Sequence, residues 1–192
     1  AAYSLGFNPN HDPDDKPRTI KVRVARDGLK VRYRDNYTLK TDEGSAALRT
    51  KMALIAGQSE NPLGITVEFE PVAERAGRRR VVHTAVRIPI DSLTMVPVGN
   101  DVYQGRLEFS FYLEDEKGAS SPIQKSELPL ELPGEAVSGM TAAHITYDVG
   151  FKIRSGDHRL ALNVTDALSS TASTLTWNLS IDAQDRVVVR DR

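Results

Sequence analysis

The chain has 192 residues, a formal net charge of −1, 40% hydrophobic residues and no cysteine. This length is enough for one sizeable hydrophobic core. The near-neutral charge gives no support for nucleic acid or an anionic membrane as the main partner. The lack of cysteine excludes disulfides and thiolate metal sites. No apolar run reaches the roughly 18–20 residues that a membrane-spanning helix needs.

The N-terminal segment, residues 1–37, predicts a strand followed by a hairpin. Apolar and polar residues, mostly basic, alternate through residues 20–24 and again through residues 29–34, and the dipeptide Asp27-Gly28 between them suits a tight two-residue turn. The chain opens on Ala1-Ala2-Tyr3, without an initiator Met or a signal segment. We interpret this start as that of a piece of a longer protein or of a processed form.

An acidic loop precedes this hairpin and is the candidate metal site. Asp12, Asp14 and Asp15 lie within four residues of one another around Pro13. Three carboxylates on a loop can hold Ca²⁺, because this ion prefers several oxygen ligands. The spacing is not that of an EF-hand loop, however, and a solvated loop is the favoured alternative.

Residues 45–56 break the alternating pattern and predict one short helix. Leu48, Met52, Ile55 and Ala56 recur at three- and four-residue spacing, and Asp42 or Ser45 can cap the start. We expect this helix to cover an open end or edge of the sheets.

From residue 62 onwards, period-two alternation predicts a series of strands separated by Gly- and Asp-rich turns. About ten strands are expected in all, most with one wet face. This pattern is typical of an all-β, immunoglobulin-like or fibronectin type III-like antiparallel β-sandwich with one short helix. We predict a single domain over residues 1–192, in which residues 62–192 form the sandwich core. The apolar positions of these later strands are Leu63, Ile65, Val67, Phe69, Val82, Val86, Ile88, Leu107, Phe109, Phe111, Leu128, Leu130, Ile145, Tyr147, Val149, Leu160, Leu162, Val164, Leu175, Trp177 and Leu179.

No recognisable catalytic or cofactor-binding motif is present. There is no Gly-x-Ser-x-Gly elbow and no phosphate-binding Gly loop. The four histidines, His11, His83, His144 and His158, show no metal-site spacing. Arg78, Arg79 and Arg80 form a basic spot for which a solvated hairpin corner is favoured over a phosphate site. We therefore predict no catalytic residue and no resident cofactor other than the Ca²⁺ considered above.

Three stretches carry a resemblance to a known family. The first runs from Tyr3-Ser4-Leu5-Gly6-Phe7 through Ile20-Lys21-Val22-Arg23-Val24 to Arg34-Asp35-Asn36-Tyr37, the second is residues 105–118, and the third is residues 157–166. They resemble the region that follows the von Willebrand factor type A domain in secreted bacterial proteins of the acidobacterial type. The Asp-x-Ser-x-Ser metal-adhesion motif of the type A domain itself is absent from this sequence. The resemblance implies an extracytoplasmic sandwich, secreted or in the periplasm or envelope, beside an adhesion-type domain.

These observations favour a non-enzymatic structural or accessory module that supports protein–protein interaction, with a protein or a neighbouring domain as its partner. The alternative is a self-sufficient module that binds protein or carbohydrate, which a surface patch of aromatic residues would favour. A hydrolase with an unrecognised site is a third class, and it would require converging carboxylates or a Ser–His contact in a cleft.

Overall fold

The computed structural model describes residues 6–25, 31–138, 143–182 and 184–190. The chain separates into two compact units, residues 1–45 and 46–192, where the sequence pattern predicts one domain. None of the described helices has both the length and the hydropathy that crossing a bilayer requires.

In the first unit, strand β1 (Pro17–Thr19) pairs antiparallel with strand β2 (Asn36–Thr38). Pro17 lies opposite Thr38, which is the register of a hairpin centred between residues 27 and 28. The predicted turn itself lies outside the described residues. The predicted strand at 20–24 and the described part, residues 31–34, of the predicted strand at 29–34 are not strands in the structure. The ladder ends at Thr19 and Asn36, and one further bond runs from the Ile20 N–H to the Asp35 carbonyl.

Helix α1 (Asp42–Ala56) begins three residues before the predicted start and ends where predicted. The second unit then contains, in chain order, β3 (Thr66–Ala76), β4 (Arg79–Pro89), β5 (Val96–Gly99), β6 (Val102–Asp115), β7 (Gln124–Pro133), a five-residue helix α2 (Gly134–Ser138), β8 (His144–Ile153), β9 (Gly156–Asp166), β10 (Ala172–Ile181) and β11 (Val187–Arg190).

The second unit is an antiparallel β-sandwich, which confirms the predicted all-β class. One sheet has the order β3-β4-β8. The other has the order β11-β10-β9-β6, with β5 and β7 also paired to β6. Pro71 lies in the edge strand β3 at the register shift between Phe69 and Val72, and Pro129 lies in β7, which among the described strands pairs with β6 alone. These are positions where a missing N–H does not interrupt a central ladder.

The core lies between the two sheets and uses the predicted apolar phase of the strands. Trp177 belongs to this face, as predicted, and makes an edge-to-face contact with Phe69 at 5.4 Å between ring centroids. Burial of these side chains supplies the main stabilisation of the second unit. The fully buried members include Leu63, Val82, Val86, Ile88, Leu107, Phe109, Leu160, Leu162 and Val164.

Strand β9 ends at Asp166, a carboxylate that is only 1% exposed. Its Oδ2 accepts hydrogen bonds from the Thr94 N–H and the Ser169 hydroxyl, both at 2.8 Å, and its Oδ1 accepts one from the Leu168 N–H at 2.9 Å. Burial raises the pKa of Asp166, but these hydrogen bonds together outweigh it, so the pKa lies below the ordinary value. The ionised carboxylate therefore ties two loops to the end of the strand.

We expect Leu162→Ala to lower the free energy of unfolding by about 2–5 kcal/mol, because it leaves a cavity between the sheets. Leu168→Ala is the matched control, since Leu168 is 48% exposed and Leu162 is 2% exposed. The control should cost less than about 0.5 kcal/mol. Urea denaturation of both variants measures the difference, and equal losses would contradict the core assignment.

We expect Asp166→Asn to lower the free energy of unfolding at pH 7 by about 1–3 kcal/mol, because an amide cannot accept all three hydrogen bonds. A lowered folded-state pKa contributes stability above the unfolded pKa of about 4, and this contribution is lost as the pH falls through the folded value. The difference in the free energy of unfolding between wild type and variant should therefore become smaller below about pH 4. Urea titrations at several pH values measure this difference. A difference that does not change with pH would contradict the stabilising role of the ionised carboxylate.

Candidate functional site

The three aspartates of the predicted calcium loop are held in different ways. Asp14 forms a two-pronged ion pair with Arg18, at 2.7 and 2.8 Å, and the hydrogen bond from Arg18 is the main reason that the pKa of Asp14 lies far below its usual range. Asp15 accepts hydrogen bonds from the N–H and hydroxyl of Thr41 and lies 3.7 Å from the Lys40 ammonium. Asp12 is exposed, and its backbone carbonyl lies 2.7 Å from His11 Nδ1.

Within the described ranges, no group of three or more His, Asp or Glu side chains is arranged to hold a metal ion. The structure thus uses Asp14 and Asp15 to join the acidic loop to β1 and to the start of α1, and it does not bring them together with Asp12 as a cation site. Calcium binding by these three residues stays a prediction.

The second unit presents its candidate site at the end of the sandwich where β6 runs into the turn before β7. A row of polar side chains crosses four strands of the larger sheet here: Glu114 of β6 lies opposite Arg159 of β9, which lies opposite Asn178 of β10, which lies opposite Arg190 of β11. Glu114 and Arg159 form an ion pair. The row lines a cavity of about 390 Å³, which we call the row cavity.

A second cavity of about 560 Å³ lies beside strand β8, and we call it the edge cavity. One wall is the end of β8 with the residues after it, and the other is the loop that leads into β7. Three of its lining residues are basic: Arg79, Lys152 and Arg154. None of these three cations forms an ion pair with a described residue. One carboxylate, Asp115, lines the cavity as well and accepts the backbone N–H groups of Lys117 and Ala119, so the charged lining is positive on balance.

His158 lines both cavities and is only 6% exposed. Its Nε2 lies 2.9 Å from the Arg154 carbonyl oxygen, which can only accept, so Nε2 carries the hydrogen. Its Nδ1 is buried without a hydrogen-bond partner among the described residues. A buried polar atom of this kind is uncommon and costs stability when it is left unpaired. The sequence pattern places His158 on a strand but does not predict that it is buried.

Helix α1 offers a third candidate surface, because its buried face is not the predicted one. Leu54 packs with Tyr112 and Ala161 on the outer side of the larger sheet, and Thr50 is fully buried with its hydroxyl donating to the Ala46 carbonyl at 2.8 Å. The predicted apolar stripe points to solvent instead. Leu48, Met52 and Ile55 are 49%, 55% and 65% exposed. We call these three residues the helix stripe.

Several carboxylates near the cavities have structural partners. The Asp115 carboxylate accepts the N–H groups of Lys117 and Ala119 at 3.0 and 2.8 Å and thereby shapes the β6–β7 turn. Glu114 is paired with Arg159, as described above. Asp185, in the β10–β11 turn, binds Arg75 and Arg80, which hold its pKa below the ordinary value. Arg80 of the predicted basic spot is therefore an ion-pair partner, whereas Arg79 lines the edge cavity.

Comparison with known proteins places the chain in no family. No family model and no curated protein sequence matches it. Among solved structures, the structural-genomics target SoR45 is similar at 10% identity and a TM-score of 0.37, over 61% of this chain and 82% of that one. A β-glucuronidase of Bacteroides uniformis is similar at 9% identity and a TM-score of 0.38, over 60% of this chain and 13% of the enzyme. The chain thus spans a small part of the glucuronidase, and likeness at this level carries no argument about function.

Proposed function

We propose that the chain is a non-enzymatic β-sandwich module that supports protein–protein interaction. The helix stripe is the observation that carries this proposal. A helix lying on a sheet normally turns its polar side to water, whereas α1 exposes three large apolar side chains one turn apart. Exposed apolar patches of this kind are typical of surfaces that pack against another protein.

The partner that fits the helix stripe is a protein surface that is apolar at its centre and acidic at its rim. Arg49 is exposed beside the stripe. Lys51 is exposed as well, and its ammonium lies 5.2 Å from the centre of the Tyr112 ring. Two cations beside an apolar stripe favour acidic residues at the periphery of the partner, since opposite charges align the two surfaces.

The geometry of the ionisable groups supports a non-enzymatic role. The most buried carboxylate, Asp166, is held by three hydrogen bonds at the end of β9, and Glu114 and Asp185 are neutralised by arginines. The pKa values of Asp166 and Asp185 are lowered, so these two carboxylates are suited to stabilising loops rather than to exchanging protons near neutral pH. We further propose, on the resemblance in sequence, that the module works in a secreted or envelope protein beside an adhesion-type domain.

Peptide selection tests whether the helix stripe binds protein. A displayed peptide library is selected against the wild-type chain, and the affinities of enriched peptides are then measured for Leu48→Glu and Leu168→Glu. We expect acidic, amphipathic peptides whose affinity falls at least about tenfold with Leu48→Glu, because a buried leucine contributes about 1.5–3 kcal/mol.

Leu168→Glu is the matched control, since Leu168 is as exposed as Leu48 but lies in the turn between β9 and β10. It should leave the affinities unchanged. If no enriched peptide distinguishes Leu48→Glu from Leu168→Glu, the helix stripe is not a protein-binding surface and the proposal fails.

A second candidate function is the binding of a small polar ligand, such as a carbohydrate, in the row cavity. The observation that favours it is the row of side chains from Glu114 to Arg190, which offers both acceptors and donors in one concave site. A glycan array probed with wild type and Asn178→Ala tests this candidate. Glycan binding that is lost in the variant would favour it over the first, and an unreactive array would exclude it for the glycans present.

A further inference from the structure

The outer edge of β8 is open at the edge cavity. On one side β8 pairs with β4 along its whole length, and no described strand pairs with its other side. Near its middle, the Tyr147 hydroxyl donates to Ser126 of β7 at 2.8 Å, which closes the gap between the two sheets. Beyond this contact, β7 extends no further than its first residue, Gln124. The gap between the sheets therefore opens there into the edge cavity, beside Gly150, Lys152 and Arg154.

The end of β8 presents two kinds of side chain to this opening. Phe151 and Ile153 point into the core, and they line a small cavity of about 40 Å³ together with Phe111 and Leu113. Lys152 and Arg154 alternate with them and are exposed. Because side chains alternate along a strand, any strand added beside β8 would present every second residue to the apolar cavity and the others to the cations.

Two further observations favour an occupant at this place. Arg79 and Arg154 each come one position beyond the last pair of the β4–β8 ladder, Arg80 with Ile153, and both line the edge cavity. Like charges near one another are unfavourable unless an anion lies near them. In addition, His158 lines the edge cavity, and its Nδ1 has no hydrogen-bond partner among the described residues.

We propose that the edge cavity binds a peptide in extended conformation, with alternating acidic and small apolar residues, which adds to β8 as a further strand. Its backbone would pair with the open edge of β8, its apolar side chains would enter the small cavity beside Phe151, and its carboxylates would lie against Lys152, Arg154 and Arg79. Main-chain pairing then provides affinity and the alternating side chains provide specificity. This inference rests on the proposed protein-binding function, but it uses a surface separate from the helix stripe.

The test uses a fluorescein-labelled synthetic peptide of eight alternating Glu and Val residues, titrated with the wild-type chain and followed by fluorescence anisotropy. We expect saturable binding that weakens about twofold to fivefold with Lys152→Gln or Arg154→Gln, and roughly tenfold with both, as for partly exposed ion pairs. Arg78→Gln is the matched control, because Arg78 is exposed and adjacent to Arg79 but does not line the cavity. Unchanged affinity in the double variant would overturn the proposal.

Three comparison ligands separate strand addition from simple charge attraction. The same peptide with Gln in place of Glu should bind at least about tenfold more weakly, and a peptide N-methylated at alternate residues should not bind, because it cannot form the ladder. Inorganic phosphate should not compete at millimolar concentration. If the N-methylated peptide still binds, or if phosphate competes fully, the edge cavity is an anion site only. Either result would overturn the proposal of strand addition.

Amide chemical shifts measured by ¹H–¹⁵N NMR locate the bound peptide. The largest changes should fall on residues 150–154 of the chain and on the loop at Ser120 and Ser121. Changes confined to α1 would contradict the proposal. The Leu48→Glu variant should bind the Glu–Val peptide with the affinity of the wild type. The assay therefore tests the β8 edge separately from the helix stripe, and one proposal can fail without the other.

Discussion

Burial of both faces of β9 is the constraint on which the second unit depends. Toward the core, Leu160, Leu162 and Val164 pack between the sheets, and on the opposite side Ala161 packs against Leu54 of α1. Further along the same face, Asn163 is buried with its polar groups paired, since it donates to the Thr174 hydroxyl at 2.8 Å and accepts from Thr165. A central strand covered on both sides requires an element over the sheet, and α1 provides it. Because one face of α1 packs on the sheet, only its opposite face, which carries the helix stripe, remains exposed to a partner.

Ion pairs and buried carboxylates hold the ends of the sandwich, where the hydrophobic core is thin. Asp185 from the β10–β11 turn of the larger sheet binds Arg75 and Arg80 of the smaller sheet and thereby links the two. Asp166 does the same for loops at the end of β9. The end near His158 is only partly held in this way: Asp185 binds Arg75 and Arg80 there, but Arg79, Lys152 and Arg154 form no ion pair with a described residue. The Nδ1 atom of His158 is also left without a hydrogen-bond partner among the described residues.

The two proposed binding surfaces work by different physics. The helix stripe offers mainly apolar area, so its affinity should depend chiefly on desolvation and less on salt. The β8 edge offers backbone groups and positive charge, so its affinity should weaken as ionic strength rises. A module with both surfaces can contact two proteins, or two parts of one protein, at the same time, and this is consistent with a supporting role between neighbouring domains.

The sequence by itself determined the β-sandwich, because period-two alternation specifies which face of each strand is buried wherever one face meets water. The predicted positions of β4, β6, β8 and β10 follow from this rule, as does the inward position of Trp177. The short strands β5 and β11 were not predicted, because four residues hold too little alternation to be distinguished from a loop.

Only the tertiary structure decided the orientation of α1 and the environment of His158. The sequence of α1 contains two sets of residues at helical spacing, and hydrophobicity alone selects Leu48, Met52 and Ile55. The structure instead buries the set formed by Ala46, Thr50 and Leu54. The small side chains of Ala46 and Thr50 allow the helix to lie close to the sheet, where Leu54 packs against Ala161. His158, likewise, became a candidate only when the turns on either side of it closed around its ring, since burial and the lack of a partner are properties of packing between distant segments.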